Sequence, residues 1–237
     1  MRDQRPYNVA YYARNREAEI ARVTKRQQET LAWLRELRMV PCLDCGGTFA
    51  PYAMDFDHRD PGAKSFNLGG SRAMLASRAA LIEEIAKCDI VCANCHRART
   101  YAAFLAGTLR PVWFTRRAVG GTKEQQRGRE KWNRTRSEQS DLLRAFRQSP
   151  CFDCQRSFDW FVMEFDHRER TRKTADVTRL SGNASLMRLL EEIEKCDIVC
   201  SNCHRVRTYV RREAATADTR GCVVVVTNEF SKLGTRV

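Results

Sequence analysis

Apolar positions along this chain keep a helical period in some stretches and a twofold period in others, and that difference marks out its elements. In LAWLRELRMV, Leu34 and Leu37 stand one helical turn apart, and Leu143 and Phe146 repeat the spacing in SDLLRAFRQS. A helix is therefore predicted ahead of Pro41 and again ahead of Pro150, since proline ends the helix before it. A hairpin is expected next, its second strand carrying AMDFDH or VMEFDH, where Met54 and Phe56 alternate with Asp55 and Asp57 as a half-buried strand requires. Leu186, Leu189, Leu190 and Ile193 fall at i, i+3, i+4 and i+7 after Ser185, which predicts a helix with a serine N-cap. Another helix should begin inside CANCHRARTYAAF and CSNCHRVRTYVRR, and CVVVV near the carboxyl end reads as a strand.

These elements come in duplicate. PCLDC (41–45) aligns with PCFDC (150–154), and MDFDHR (54–59) with MEFDHR (163–168), both at an offset of 109. LIEEIAKCDIVC aligns with LLEEIEKCDIVC at 108, so one residue has been lost from the loop between. A chain of 237 residues repeating at about half its length predicts two small α+β modules. The expected division is a basic helical arm (1–30), a first module (31–105), a basic linker (106–139), a second module (140–212) and a tail (213–237). The linker, rich in Gly, Arg and Lys, is expected to become helical towards the second module and to let the modules move independently.

Composition narrows the chemistry. A formal net charge of +13 favours a polyanionic partner such as nucleic acid, although a basic surface that only keeps the protein dispersed gives the same count. The amino terminus lacks the apolar core of a secretory signal and no apolar run approaches the length of a membrane span, so a cytoplasmic protein is expected. In a reducing compartment eleven cysteines read as metal ligands rather than disulfides. Cys42, Cys45, Cys92 and Cys95 form two Cys-x-x-Cys pairs, and Cys151, Cys154, Cys200 and Cys203 form two more. Four thiolates from two such turns make the closed shell of a structural zinc, so two structural Zn2+ are expected. A redox dithiol is the competing reading, but thioredoxin-like motifs do not come as distant paired pairs. Cys88 and Cys196 repeat as well and read as small buried residues beside a full shell, with replacement of a ligand as the alternative.

All four histidines, His58, His96, His167 and His204, fall in the repeated strings, as Asp-His after a strand and Cys-His at a helix start. An aspartate and an imidazole can hold a divalent cation, and a second imidazole nearby can take a proton from water. Asp57-His58 with Cys92-x-x-Cys95-His96, and Asp166-His167 with Cys200-x-x-Cys203-His204, resemble an HNH endonuclease of the zinc-ribbon kind found in phages and bacteria. The resemblance covers roughly residues 40–104 and 149–212. It implies two tandem ββα-metal modules flanked by basic helices, with His58 and His167 as general bases. Asp57 with His96, and Asp166 with His204, would bind one catalytic cation per module, Mg2+ or Mn2+, with Zn2+ or Ni2+ as alternatives. The reaction implied is hydrolysis of a phosphodiester to 3′-hydroxyl and 5′-phosphate ends.

The family's middle Asn is missing, since Lys87 and Lys195 stand nine residues before the last His of each copy. Asn94 and Asn202 either supply that side chain or shape the zinc knuckle. Lys64, Arg97, Arg99, Lys173, Arg205 and Arg207 are candidate phosphate contacts, with plain solvent-exposed basic residues as the alternative. Asp55 and Glu164 read first as solvated strand residues and second as carboxylates touching the cation through water. The expected partner is nucleic acid, double-stranded DNA in particular, with no membrane, and a monomer suffices because the repeat supplies two sites. The rival reading is a zinc-dependent binder of nucleic acid or of a ribonucleoprotein, with vestigial HNH sites.

Overall fold

A computed structural model describes residues 5–108 and 121–218. The chain divides into two compact units, Met1–Val91 and Cys92–Val237. Cys222, the CVVVV segment and residues 109–120 of the expected linker lie outside the described residues.

The first unit opens with helix α1, Arg5–Leu37, which passes residue 30 without a break. Strand β1 (Met54–His58), short helix α2 (Ser71–Leu75), helix α3 (Arg78–Ile85) and strand β2 (Cys88–Cys92) follow. Ser77 caps α3 by accepting from the Ala80 N–H at 3.2 Å. Leu34 from α1 is buried with Phe56, Leu68, Ala73 and Leu81, so the predicted leading helix covers one face of β1.

The boundary falls at the end of β2, so the second unit includes α4 (Ala93–Leu105), the helix that closes the first repeat. Helix α5 (Lys123–Phe146) starts at a capping box in which Thr122 and Gln125 satisfy each other's backbone N–H groups. After it come β3 (Met163–His167), α6 (Val177–Leu180), α7 (Leu186–Ile193), β4 (Cys196–Cys200) and α8 (Ser201–Asp218). Ser185 caps α7 as the sequence predicts, accepting from the Arg188 N–H at 3.3 Å. Leu143, Val177, Leu180, Leu189 and Ile193 form the core under α5, where the Gln139 amide accepts from Gly182 N–H and donates to Ala184 O. Gly182 has φ +76°, and a Cβ there would lie 2.8 Å from Arg136 Cβ, so only glycine lets the loop approach α5 this closely.

The sheet departs from the expected hairpin. MDFDH and MEFDH are the first strands of their pairs, and their partners are the CDIVC segments about thirty residues on. In the second unit β3 and β4 run antiparallel, with Met163 opposite Cys200, Phe165 opposite Ile198 and His167 opposite Cys196. The reason lies in the cysteine turns, whose backbone groups are largely satisfied locally. Cys42 N–H bonds Gly47 O, Gly46 N–H bonds Cys42 O, and Cys151 N–H bonds Arg156 O, leaving no ladder for MDFDH or MEFDH to join. Leu43 and Phe152 reach the sheet through their backbone, each donating to the isoleucine of its CDIVC strand.

Among the described residues the result is α+β, with two small sheets, each running directly into a helix. No helix among the described residues is long and apolar enough to cross a membrane.

Candidate metal centre and hydrolytic site

Both sets of cysteines converge. The Sγ atoms of Cys42, Cys45, Cys92 and Cys95, and those of Cys151, Cys154, Cys200 and Cys203, lie within 4.8 Å of one another in each set. A tetrahedral zinc with bonds of about 2.3 Å sets its sulfurs about 3.8 Å apart, which these clusters accommodate. The local fold suits a thiolate shell: Cys200 N–H points at Cys151 Sγ at 3.2 Å, and Gly46 and Gln155 take left-handed conformations (φ 66° and 56°) that close the first turn of each set. In the second set Cys151 ionises most readily because Cys154, Cys200 and Cys203 donate towards it, whereas Cys203 is pushed up by the same crowd. Four sulfurs this close carry their full charge only around a cation, so both groups can hold a structural zinc. Cys88 and Cys196 stand outside them, each donating to a glutamate carbonyl at 3.3 Å. Burial and the adjacent glutamates Glu84 and Glu192 push these two thiols up to about 11 and about 12, so they remain protonated.

The two Asp-His histidines share an arrangement that the sequence did not reveal. His167 Nε2 lies 2.8 Å from Glu192 Oε1, and His58 Nε2 lies 2.8 Å from Glu84 Oε1, with both glutamates almost fully buried. Each carboxylate also binds a lysine three residues on, Lys195 or Lys87, at 2.7 Å. Each takes two loop N–H groups as well: Thr174 and Ala175 on Glu192, Ser65 and Phe66 on Glu84. Burial works against the charge on Glu192, but Lys195, the Thr174 hydroxyl and the two N–H groups outweigh it and hold the pKa below the ordinary range. Glu84 is lowered in the same way, against its burial, by Lys87, His58 and the two N–H groups. An ionised carboxylate only accepts, so Nε2 of each histidine is the donor to its glutamate, and in the neutral ring the lone pair lies on Nδ1. Lys87 and Lys195 thus brace the loop through a glutamate.

Asp166 and His204 come together in the second unit, with His204 Nε2 3.5 Å from Asp166 Oδ1. Glu164 accepts from His204 Nδ1 at 2.5 Å, from Ser201 Oγ at 2.9 Å and from Arg97 Nη2 at 2.5 Å. Burial raises the Glu164 pKa, yet His204 and Arg97 bring it down to about 2, so it is ionised and fixes the His204 proton on Nδ1. Nε2 is then free to act as a ligand beside Asp166, the usual effect of a carboxylate behind a ligating histidine. Bonds of about 2.1 Å at 90–109° put two ligand atoms roughly 3.0–3.4 Å apart, close to the separation found here. Asp166 meanwhile accepts from Arg211 through both oxygens at 2.8 Å and from Arg207 at 3.0 Å, and these guanidiniums hold its pKa down against burial.

His167, His204, Asp166 and Glu164 line one open cleft of about 340 Å³, together with Arg97, Arg147, Arg170, Lys173 and Arg211. Arg147 lies over the Phe165 ring at 5.0 Å, and its buried Nε has no hydrogen-bond partner among the described residues. Burial and the neighbouring Arg97 both disfavour its charge, so an incoming anion would relieve it. Of the other predicted contacts, Lys173 pairs with Asp176 and Lys64 is exposed on the loop after β1. Arg205 is exposed and Arg99 partly buried. Arg207 is committed elsewhere: besides Asp166 it binds Asp153 and Asp197 and is only 17% exposed, so it serves as a brace in this state. Asp57 lies on β1 in the first unit, whereas His96 lies on α4 in the second.

Asn94 and Asn202, each inside its cysteine turn, bond to one another. Asn94 N–H donates to Asn202 Oδ1 at 3.1 Å and Asn202 N–H to Asn94 Oδ1 at 2.9 Å, with both residues buried. The reciprocal pair fastens α4 to α8, and Tyr101 of α4 stacks on Phe161 at 4.2 Å. The expected independence of the two repeats therefore does not extend to α4, which is packed against the second copy.

No family model, curated protein or solved structure matches this chain.

Proposed function

We propose that the chain is a metal-dependent endonuclease of the HNH kind, hydrolysing phosphodiester bonds of nucleic acid, duplex DNA in particular, with one site in each repeat. The observation that carries this reading is the second-copy cleft. There a histidine whose Nε2 faces a buried glutamate stands with an Asp–His pair whose ring Nδ1 is engaged by a second glutamate, leaving Nε2 turned to Asp166. His167 is the proton acceptor, with Nδ1 receiving the proton of the attacking water and Glu192 stabilising the imidazolium that results. Asp166 and His204 are the pair that would hold a divalent cation, which supplies Lewis-acid stabilisation of charge on the phosphate. Arg147 and Lys173 face the phosphate from the cleft wall. Arg211 must release Asp166 for the pair to open.

That ion pairing supports the second reading, a zinc-dependent nucleic-acid binder, because a carboxylate already covered by two guanidiniums can serve as structure alone. A supercoiled-plasmid assay across Mg2+, Mn2+, Ni2+ and Zn2+ separates the two. Nuclease activity predicts nicked or linear product from wild type and none from the His58→Ala/His167→Ala double variant. Failure of wild type to cut with every cation, while it still retards DNA on a gel, would favour the binder.

A further inference from the structure

We propose that Arg97, a residue of the first repeat, is a positioning residue of the second repeat's cation pocket. This rests on the nuclease reading for what the pocket does, but its geometry stands alone. Arg97 sits on α4 one turn after Asn94, and the Asn94–Asn202 pair fixes the register of α4 against α8, which carries His204. From that position Arg97 Nη2 reaches Glu164 Oε1 on β3, and the other carboxylate oxygen takes the proton of His204 Nδ1. Arg97 therefore orients the carboxylate that orients the ligand imidazole. Ser201 shares Oε1, but it belongs to the second copy and reaches one side only, so without Arg97 the carboxylate can turn and release His204. The second site is then incomplete in an isolated second module, which accounts for two copies kept in one chain with their closing helices fastened together.

The pair adds little to folding. Arg97 is 46% exposed, and water screens an ion pair of that kind. Its effect should appear in the pocket and not in the melting temperature. The experiment uses the full zinc-loaded chain in an Asp57→Ala background, which removes the first copy's cation aspartate, and follows Mn2+ binding by the loss of the free-ion electron-paramagnetic signal. Substitutions behind a metal ligand typically weaken affinity about 10–100-fold, so Arg97→Ala should weaken Mn2+ about tenfold and Arg97→Lys should recover most of that loss, with zinc content unchanged. Affinity within about twofold of the parent for Arg97→Ala would overturn the proposal, as would loss of zinc in both variants, since that marks a general structural role.

If the parent itself binds no Mn2+, the nuclease reading fails, and the ring nitrogens of His204 decide this proposal separately. Long-range 1H–15N spectra should show the proton on Nδ1 in the parent and a tautomer mixture in Arg97→Ala. An unchanged Nδ1–H in the variant overturns it.

Discussion

Replacing Glu192 with alanine tests the interior of the second site without touching a cysteine or a proposed cation ligand. The carboxylate takes five donors: Nε2 of His167, Nζ of Lys195, the N–H groups of Thr174 and Ala175, and the Thr174 hydroxyl. Lys195 is 26% exposed and can turn to water, but His167 is 8% exposed and its loop is held from inside. Breaking a buried charged pair by removing one partner costs about 3–5 kcal/mol. For a chain of this size each kcal/mol moves the melting temperature by about 2–4 °C, so the second unit's transition should fall by roughly 6–20 °C. Differential scanning calorimetry on zinc-loaded protein reads this directly. The sign with pH follows from the lowered pKa: the stabilisation is complete above the ordinary glutamate range and fades as pH falls below it. The gap between wild type and variant should therefore narrow from pH 7 towards ~pH 3. A shift under about 2 °C at neutral pH would refute the claim that Glu192 holds the His167 loop in place.

Two further outcomes follow from the cysteine turns. Stripping zinc with a strong chelator should unfold both modules, because a structural zinc supplies roughly 10–16 kcal/mol of apparent folding energy, and loss of helical circular dichroism that returns with added Zn2+ is the check. Gln155→Gly should raise stability by up to about 1 kcal/mol and Gly46→Ala should lower it by about 1–2, since both positions have left-handed backbone and nothing lies within 4 Å of a Cβ at Gly46, leaving conformation as the only cost there. Thermal melts of the two variants in opposite directions are expected, and a fall for Gln155→Gly would mean that its side-chain bond to Phe152 O outweighs the backbone strain.

How far the sequence could be read depended on whether the relevant signal was local. The helix after Ser185 was legible because period and cap lie within nine residues, and the helices starting at Ala93 and Ser201 were legible from the repeated strings. The partner of MDFDH was not legible, because CDIVC lies about thirty residues away, behind two helices, and its cysteines drew attention as ligands. At the site, the duplication exposed the aspartates and histidines proposed as ligands and bases and the eight paired cysteines, and the structure joins Asp166 with His204 in one cleft with His167.

Glu84 and Glu192 are not legible as partners of the histidines because LIEEI and LLEEI read as ordinary amphipathic helix. A signal was nonetheless present: Glu84 stands three residues after Leu81 and Glu192 three after Leu189, on the apolar face, where an exposed glutamate does not belong. Each also lies three residues before a lysine, Lys87 or Lys195, that repeats at the same place in both copies. The Asn94–Asn202 contact and the reach of Arg97 had no such signal, because both depend on how α4 packs against α8.

The central claim is that Asp166 and His204 form a cation pocket distinct from the thiolate clusters. Anomalous scattering from crystals soaked in Mn2+ tests it most directly. The account predicts a manganese peak between Asp166 and His204 with Arg211 moved off the carboxylate, and zinc retained at the cysteines. Manganese found only at the cysteine groups, with Arg207 and Arg211 still closed on Asp166, would contradict it.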